Sequence, residues 1–409
     1  MTVPPRVVFV NRFYAPDESA TSQVLTDLAE ALVRCGSEVT VLCSRQLYCD
    51  AGADLPAREV AGGVRVRRIA GTRLGRDFLA GRAIDYASFY LCAAVSLLAC
   101  VRRGDVLVVK TDPPLLSLLG WLVARCKRAS VVNWLQDLYP EVASRLALSP
   151  LPRPLEALLR AARDRSLATA RVNVVLGTRM REYLLERGIA AARISICENW
   201  ADESRVRPLA ASGSELRGRL RLADRFVAAY SGNLGRAHDA NTILEAACAL
   251  ECDPGIVWLM IGGGAGMRSL QMQARARALA NFRFVPYQPR EALSDSLAAG
   301  DVHLVSLRPE LEGLIVPSKL YGILAAGRPV VFVGDPDGEV ARLIAATEVG
   351  VSVRSGDSAG LCRALRALRG DDAARARMGM RAREVFEERY TLARAVTRWR
   401  DLLDTVTSA

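Results

Sequence analysis

The sequence predicts an α/β protein with two doubly wound parallel-sheet domains. Its length of 409 residues exceeds the roughly 100 to 200 residues of an average domain. In each half, short β-branched runs alternate with longer helical patterns, which is typical of parallel strands joined by crossover helices. Between the halves, residues 200–223 are poorly periodic and enriched in Pro, Ser and Gly. We therefore predict that a linker and the start of the second domain lie there.

The first half contains six strand-like runs, each rich in Val, Ile or Leu. It opens with RVVFVNRF, a helical pattern over 20–35 and SEVTVLCS. The alternation continues through VRVRRI, a helix over 86–101, DVLVVK, a helix over 115–127, SVVNWLQD, a helix over 155–168 and VNVVLG. Because helices separate most of these strands, we expect one mainly parallel sheet.

The second half repeats the alternation. Its elements are FVAAYSG, a helix over 240–250, IVWLMIGGG, a helix over 270–280, FRFVPY, a helix over 290–298, VHLVSL, a helix over 320–326 and PVVFVG. Two more helical patterns follow, and we expect the last, LARAVTRWRDLLDTV, to pack on the first domain. We predict a first domain of residues 1–203 completed by 390–409, and a second of 204–389. Ligands of open α/β sheets bind outside the carboxyl ends of the strands, so we expect an interdomain cleft.

Composition restricts the chemistry. Hydrophobic residues make up 51% and charged residues 24% of the chain, as in a folded globular protein. The 10 cysteines are scattered without a CxxC pair, so we interpret them as reduced, buried thiols of a cytoplasmic protein. With only 2 histidines, a histidine-based nucleophile or metal site is disfavoured. We interpret His303 as structural because it lies in a strand pattern, whereas His238 lies in a Gly-rich loop.

The net charge of +11 predicts a polyanionic partner. A nucleic-acid surface would interleave aromatic and basic residues, and the sequence shows no such pattern, so we predict anionic lipid instead. The apolar segment 86–101 has about 16 residues, fewer than the roughly 20 that span a bilayer. It fits either an interfacial helix or a core helix of the first domain. Arginines lie on both sides of it, at Arg73, Arg76, Arg82, Arg102 and Arg103.

The most informative motif is VPSKLYGILAAGRPV, at 316–330. Pro317 and Ser318 suit the first turn and the cap of a helix, whose free N–H groups and dipole favour an anion. Lys319 adds a full positive charge. The helix is apolar almost all round and ends at Gly327 and Pro329. An ordinary capped core helix would give the same pattern.

Two Gly-rich loops follow strands of the second half, SGNLGR at 231–236 and GGGAG at 262–266. Backbone can approach a phosphate closely at such loops, although glycine also ends many strands. Together with Arg236 and Lys319, the loops predict a phosphate site in the second domain. The first strand runs instead into NRFYAPDES and lacks GxGxxG, which disfavours a dinucleotide-binding dehydrogenase.

Four strings together resemble the GT-B fold glycosyltransferases of family 4. They are YAPDESA before a helix and SEVTVL; DLYPE at 137–141; ENWAD at 198–202; and YSGNLG with VPSKLY and AAGRPV. The chain most resembles the bacterial subgroup of colanic acid and O-antigen fucosyl or N-acetylfucosaminyl transferases. The resemblance implies two facing Rossmann-like domains. It also implies a nucleoside-diphosphate sugar as co-substrate, no cofactor, and a metal-independent transfer that retains the anomeric configuration.

The resemblance also assigns residues. Asp137, Arg236 and Lys319 take catalytic roles, the two cations by stabilising the departing diphosphate. A turn cap is the structural alternative for Asp137. Donor-binding positions are Gly232, Asn233, Gly235, Gly263, Gly264, Tyr287, Gln288, Val316, Pro317, Ser318 and Leu320. Acceptor-binding positions are Pro16, Glu18, Ser19 and Glu141.

One position departs from the family pattern. Many members carry a glutamate that binds the donor ribose where this chain has Gly322, and another eight residues earlier, at Leu314. Glu310 or Glu312 is the nearest substitute. We expect transfer of a hexose, deoxyhexose or N-acetylhexosamine to a glycan or polyprenyl-linked acceptor at the inner leaflet of the cell membrane. Two alternatives stay open: a sugar-nucleotide 2-epimerase of the same fold, and a non-catalytic nucleotide-sugar-binding partner of a polysaccharide assembly complex.

Overall fold

A computed structural model describes residues 6–48, 50, 52–74, 79–149 and 151–408, with the side chains at 79, 80 and 82 left aside. Cys49, Arg76 and the side chain of Arg82, which enter the predictions above, lie outside this description. The chain divides into two compact units. The first comprises Met1–Glu198 and Leu392–Ala409, and the second comprises Asn199–Thr391.

The first unit contains an eight-stranded sheet in the order β3-β4-β2-β1-β5-β6-β7-β8. All pairs are parallel except β3 with β4, which forms an antiparallel hairpin at the edge. The strands are β1 (Val7–Val10), β2 (Val39–Ser44), β3 (Arg58–Ala61), β4 (Val64–Ile69), β5 (Val106–Val109), β6 (Ser130–Trp134), β7 (Val172–Val175) and β8 (Ile194–Ile196). The central strands are buried on both faces, which explains their continuous apolar runs.

Six helices connect these strands. They are α1 (Ala20–Arg34), α2 (Leu79–Cys100), α3 (Leu116–Lys127), α4 (Glu141–Arg145), α5 (Arg153–Thr169) and α6 (Thr178–Glu186). The inner face of α2 packs with β1 in one apolar cluster, where Phe89 and Leu97 meet Val8 and Val10. Helix α3 contacts α2 on one side and α5 on the other. The three helices therefore form one layer.

The second unit contains a six-stranded, wholly parallel sheet in the order β11-β10-β9-β12-β13-β14. The strands are β9 (Phe226–Asn233), β10 (Ile256–Gly263), β11 (Phe282–Val285), β12 (Val302–Ser306), β13 (Val330–Gly334) and β14 (Gly350–Arg354). The helices are α7 (Glu215–Arg219), α8 (Ala240–Ala249), α9 (Ala265–Ala276), α10 (Leu293–Ala298), α11 (Lys319–Ala325), α12 (Glu339–Thr347), α13 (Ser358–Gly370) and α14 (Asp372–Arg389). Both sheets confirm the predicted fold class.

The last helix, α15 (Leu392–Thr407), belongs to the first unit. It contacts α1, and its fully buried Trp399 lies edge-on to Trp134 of β6, with ring centroids 4.7 Å apart. The first unit is thus assembled from both ends of the chain.

The boundaries between the units lie after residues 198 and 391. The prediction placed them after residues 203 and 389. The reason is a short pairing within the second unit: Ala201 forms a parallel β-bridge with Thr391, and the Ala201 N–H donates to the Tyr390 carbonyl at 3.1 Å. The segment 200–223 interpreted as a linker therefore belongs largely to the second unit and includes α7.

Several element boundaries differ from the predictions. Helix α2 has 22 residues and begins seven positions before Tyr86, so the argument that it is too short to span a bilayer was wrong. An 18-residue window, Ala83–Cys100, is apolar enough to cross a membrane by length and composition. Helix α9 begins at Ala265, five positions before the prediction, directly after Gly264.

The thiols are less buried than the sequence suggested. Among the described cysteines, Cys43, Cys100, Cys197 and Cys362 are buried, but Cys35, Cys126 and Cys252 are exposed. The exposed ones lie at helix ends or in turns, where no sheet covers them. All described cysteines are free thiols.

Gly322 lies inside α11, and an alanine there is expected to stabilise the protein. A Cβ at Gly322 would meet only Leu297 Cδ1, at 3.8 Å, which is ordinary contact. Glycine in a helix costs about 0.5–1 kcal/mol relative to alanine. We expect Gly322→Ala to raise the free energy of unfolding by that amount in urea titrations. Gly262→Ala is the control that should lose stability, because its Cβ would lie 2.3 Å from the Gly232 carbonyl oxygen.

Candidate functional site

The strand order of the second unit indicates where its ligand site is expected. From β9 the chain moves outward to β10 and β11, then returns to β12 on the other side of β9. The crevice beyond the carboxyl ends of β9 and β12 is therefore the topological switch point, where open α/β sheets bind ligands. Lys319, at the start of α11, projects to the carboxyl end of β9. Its Cε lies 3.8 Å from where a Cβ on Gly232 would be.

Two groups, His238 and the Tyr230 ring, contact the Lys319 ammonium. His238 Nδ1 lies 2.5 Å from the carbonyl oxygen of Ser306, the last residue of β12. A carbonyl oxygen can only accept, so Nδ1 carries the proton and Nε2 presents a lone pair. Lys319 Nζ donates to that Nε2 at 3.3 Å. Nζ also lies 4.8 Å from the centroid of the Tyr230 ring, a cation–π distance.

Burial controls the charge of this pair. Burial lowers the pKa of Lys319 to about 7. Burial, helped by the neighbouring Lys319 and opposed by the hydrogen bond to Ser306, lowers the pKa of His238 to about 3. His238 is therefore neutral at pH 7, while Lys319 gains or loses its proton near neutral pH. An anion beside Lys319 would favour its charged form.

The two Gly-rich loops pack against each other. The Leu234 N–H donates to the Gly263 carbonyl at 2.8 Å, and the Met267 N–H donates to the Leu234 carbonyl at 3.1 Å. Gly264 has φ +112°, and a Cβ there would lie 2.2 Å from Asn233 Oδ1. These glycines thus let two backbones approach each other closely, a role that the phosphate interpretation did not include.

The other predicted donor residues differ in accessibility. Val316, Pro317 and Leu320 are buried, so their side chains contribute to packing. Ser318 is exposed and makes no capping hydrogen bond with its side chain, contrary to the capping role considered above.

Three further residues border the Gly-rich loops. Tyr287 is exposed, and its ring lies 3.0 Å from where a Cβ on Gly263 would be. The Gln288 amide donates to the Pro286 carbonyl at 2.9 Å. Gly235 and Arg236 are the last two residues of the first loop. The exposed Arg236 guanidinium makes no hydrogen bond or ion pair within the described ranges.

The two glutamates proposed as substitutes at the ribose position have protein partners. Glu310 forms an ion pair with Arg308 at 2.8 Å. Glu312 Oε2 accepts from the Glu339 N–H, the first residue of α12, at 3.2 Å. This is a helix N-terminal cap, which satisfies a free N–H group. A ribose contact from Glu312 would have to displace that bond.

The low pKa of Lys319 predicts that diphosphate binding depends on pH. The free protein loses the Lys319 proton above about pH 7, whereas a bound diphosphate raises that pKa. Binding therefore takes up about half a proton at pH 7, and affinity falls by up to about tenfold per unit as pH rises above 7. Calorimetric titration with UDP, GDP or dTDP in buffers of different ionisation enthalpy measures this. A Lys319→Met protein should bind weakly with a flat profile, and an equal slope in that variant would contradict the assignment.

The first unit has a polar cluster at its own switch point, where β5 lies beside β1. Lys110 follows β5 and is fully buried. Its Nζ donates to the Thr21 carbonyl at 2.9 Å and lies 3.7 Å from the centroid of a Trp134 ring. Lys110, Ser117 and Asp137 are among the residues that line a cavity of about 20 Å³.

The pKa values of Asp137 and Lys110 are shifted in opposite directions. Burial and the Asp112 carboxylate raise the pKa of Asp137 to about 6, and Lys110 opposes the rise. Burial lowers the pKa of Lys110 well below its ordinary value, against Asp112 and Asp137. Two carboxylates and one buried amine thus lie close enough to affect each other, an arrangement typical of functional sites.

The predicted acceptor loop follows β1. Pro16 and Glu18 are exposed and Ser19 is half-buried. Asp17, which was not predicted to have a role, organises the loop: its Oδ1 accepts from the Ser19 N–H at 2.9 Å and from the Ser19 hydroxyl, and its Oδ2 accepts from the Tyr48 N–H. The Ser19 hydroxyl is therefore engaged within the loop.

Glu141 lies four residues from Asp137 but has a separate environment. It is buried, and its Oε1 accepts from Arg163 Nη2 at 2.5 Å and from the Tyr183 hydroxyl at 2.8 Å. Arg163 is also buried and donates to the Tyr139 carbonyl at 3.1 Å. Glu141 thus anchors the DLYPE turn to α5.

Within the described ranges, no group of three His, Cys, Asp or Glu residues is arranged to hold a metal ion. A cavity of about 500 Å³ lies in the second unit near Pro329 and Arg383. It adjoins the amino ends of β12 and β13 and contains none of the predicted site residues.

Sequence reasoning missed three site residues. Lys110 and Asp112 follow the run VLVV directly, so the rule that ligands bind at the carboxyl ends of strands would have identified them. His238 was noted but given no role, because its contact with Lys319 joins positions 81 residues apart.

Comparisons with known proteins agree with this geometry. Residues 19–200 match the family described as glycosyl transferase 4-like domain, and residues 214–385 match glycosyl transferases group 1. The chain is 27% identical over 340 residues to WcaI of Escherichia coli K12, named as a colanic acid biosynthesis glycosyl transferase, covering 81% of this chain and 83% of WcaI.

Two solved structures share the fold. Sucrose-phosphate synthase from Thermosynechococcus elongatus has a TM-score of 0.78 at 17% identity, covering 99% of each chain. Anabaena HepE in complex with UDP-glucose has a TM-score of 0.74 at 16% identity, covering 98% of this chain and 100% of that one. At these identities the likeness establishes the fold alone.

Proposed function

The chain belongs to the GT-B glycosyltransferases of the family 4 and group 1 type, and on that premise we propose that it transfers a sugar from a nucleoside diphosphate to a glycan in bacterial polysaccharide biosynthesis. The observation that carries the proposal is Lys319, held by His238 and Tyr230 at the switch point of the second unit. The name of WcaI supports the polysaccharide setting.

The donor chemistry follows from the charges at this site. A partly buried amine is suited to a group that carries two or more negative charges, as a diphosphate does. Lys319 would contact the diphosphate, with Arg236 as the second cation because its guanidinium has no protein partner within the described ranges. The solved complex of HepE with UDP-glucose supports a nucleotide-sugar donor.

We propose a metal-independent transfer that retains the anomeric configuration. The bond between the sugar C1 and the diphosphate oxygen breaks, and the acceptor hydroxyl oxygen bonds to C1 on the same face. The hydroxyl proton passes to the departing diphosphate. Lys319 and Arg236 stabilise the charge on that leaving group, which is the largest type of contribution in such reactions. No protein nucleophile takes part.

We assign acceptor recognition to the first unit. Asp137 lies beside a cavity at the carboxyl ends of β5 and β6 and has a raised pKa, so it is suited to accept a hydrogen bond from a sugar hydroxyl. The acceptor would be a glycan or a polyprenyl-linked glycan at the inner leaflet of the cell membrane. The net charge of +11 and the apolar helix α2 support that placement.

Thermal stability in the presence of UDP, GDP, dTDP and NAD tests the proposal first. A ligand at about 100 times its dissociation constant adds roughly 2.7 kcal/mol, so a selective shift with one nucleoside diphosphate identifies the donor base. Sugar nucleotides of that base are then incubated with acceptor, and NMR determines the anomeric configuration of the product. The absence of any shift would contradict the proposal and favour the non-catalytic alternative; C2 inversion without transfer would favour the epimerase.

Asp137→Asn separates the acceptor role from a turn-capping role. If Asp137 accepts a hydrogen bond from the acceptor, we expect transfer to fall by about 10- to 100-fold, while nucleotide binding and the melting temperature stay unchanged. A turn cap would instead lose about 1 kcal/mol of stability and retain activity. Initial rates with saturating donor, together with urea titration of the same protein, decide between them.

A further inference from the structure

Helices α2, α3 and α5 of the first unit expose an apolar surface. Leu91 and Val95 of α2 are 71% and 70% exposed, Leu122 of α3 is 54% exposed, and Leu158 of α5 is 64% exposed. Leu91, Val95 and Leu98 follow the spacing of one helix face, opposite the buried Phe89, Ala93 and Leu97. Because α3 contacts both α2 and α5, these side chains form one contiguous outer face, which we call the α2–α3–α5 face.

Basic residues border this face. The three helices follow β4, β5 and β6 and return to the amino-terminal side of the parallel sheet, so their carboxyl ends lie along the same edge. Exposed arginines collect there, Arg102 and Arg103 after α2, Arg125 and Arg128 around the end of α3, and Arg171 after α5. None of these five forms an ion pair with another described residue.

Acidic residues are few on this face, and the two of α5, Glu156 and Asp164, are engaged with other side chains of the protein. Helix α3 and its flanks, residues 113–130, contain no Asp or Glu. The one acid of α2, Asp85, is buried and accepts from Thr72 and from the Leu74 N–H. An apolar face that is bordered by exposed arginines, and whose few acids are engaged within the protein, is complementary to an anionic lipid surface.

We propose that the α2–α3–α5 face docks on an anionic lipid monolayer without spanning it. This inference rests on the proposed function, and it identifies the surface through which the protein would bind the inner leaflet of the cell membrane. Spanning is disfavoured because the inner side chains of α2, among them Phe89 and Leu97, pack against β1 in the core of the unit. A second copy of the chain is disfavoured because two chains that each carry a net charge of +11 repel each other.

One tryptophan reports directly on docking. The chain has 5 tryptophans; Trp134, Trp200, Trp258 and Trp399 are buried, while Trp121 of α3 is partly exposed on this face. Lipids brominated on the acyl chain quench a tryptophan that inserts among them. We expect quenching with phosphatidylcholine vesicles containing about a quarter phosphatidylglycerol, and loss of that quenching in Trp121→Phe.

Flotation of the full chain with the same vesicles measures binding. Each basic residue contributes about fivefold near an anionic surface, so Arg102→Ser, Arg103→Ser and Arg128→Ser together should reduce binding about 100-fold. Leu91→Gln, Val95→Gln and Leu158→Gln together should abolish Trp121 quenching. The control for the apolar set combines Met272→Gln and Val60→Gln, two exposed apolar residues outside this face. The control for the arginine set combines Arg219→Ser, Arg366→Ser and Arg377→Ser, three exposed arginines of the second unit. Both control sets should bind normally.

Several results would overturn the docking surface: equal binding to pure phosphatidylcholine, no binding to either vesicle, flotation without Trp121 quenching, or the same loss in the controls. So would a lipid-free dimer that the Leu91→Gln set dissociates. Nucleotide-induced thermal shifts are measured on the same proteins. Because they report on the second unit, a failed docking surface and a failed transferase proposal give different results.

Discussion

Lys319→Ala is expected to weaken nucleoside-diphosphate binding about 10- to 100-fold, since a hydrogen bond to a charged group contributes roughly 1.5–3 kcal/mol. Transfer should fall further, by about 100- to 1,000-fold, because the same cation stabilises charge that develops as the diphosphate departs. Removing a partly buried amine whose pKa burial has lowered to about 7 should leave the fold intact. Calorimetric titration and initial rates measure the two effects.

The matched control is Lys127→Ala, which removes a lysine of the first unit at the end of α3. It should bind nucleotide normally. Unchanged affinity in Lys319→Ala would remove this residue from the site. A loss of melting temperature that accounts for the whole loss of binding would assign Lys319 a structural role instead.

Glu141→Ala is expected to destabilise the protein by about 3 kcal/mol, because it leaves the buried Arg163 guanidinium without its main carboxylate. Arg163 keeps a second partner, Asp164, at 2.8 Å. The expected loss of stability is therefore at the lower end of the roughly 3–5 kcal/mol that breaking a buried ion pair costs. At roughly 2–4 °C per kcal/mol, the melting temperature should fall by about 6–12 °C. Calorimetry and urea titration measure the loss.

Tyr183→Phe removes only the hydroxyl that donates to Glu141 at 2.8 Å and should cost about 1 kcal/mol. Replacing both charges, with Glu141→Leu and Arg163→Met, should recover most of the stability, as removal of whole buried pairs often does. A fully stable Glu141→Ala protein with lost transfer would instead place Glu141 in the acceptor site, as the family resemblance implied.

The sequence predicted the strands well because each central strand is a compact apolar run. VVFV, VLVV and VVFVG are buried along their whole length, so burial on both faces and β propensity favour the same structure. Elements with weaker apolar signals were missed. Strand β3 (REVA) is an exposed edge, and β14 is only partly buried. The predicted start of helix α2 was too late because its first turns contain glycine and arginine, which interrupt the apolar periodicity.

The site was predictable only where its residues are contiguous. VPSKLY locates Lys319 and SGNLG locates the first loop, because one local string specifies each turn. The contact of Lys319 with His238, and the group of Lys110, Asp112 and Asp137, depend on the order of strands within a sheet. Strand order is set by tertiary packing, so local periodicity does not reveal which strand ends become neighbours. Burial, which lowers the pKa of Lys319 and raises that of Asp137, follows from the same packing.

The contact of Trp399 with Trp134, and through that ring with Lys110, has a consequence for synthesis in the cell. A ribosome releases residues 6–198 long before it makes α15, and the second unit is completed in between. Part of the core of the first unit therefore stays uncovered until α15 has been synthesised. A nascent chain that stops before α15 would lack Trp399, which packs against the Trp134 ring that Lys110 contacts.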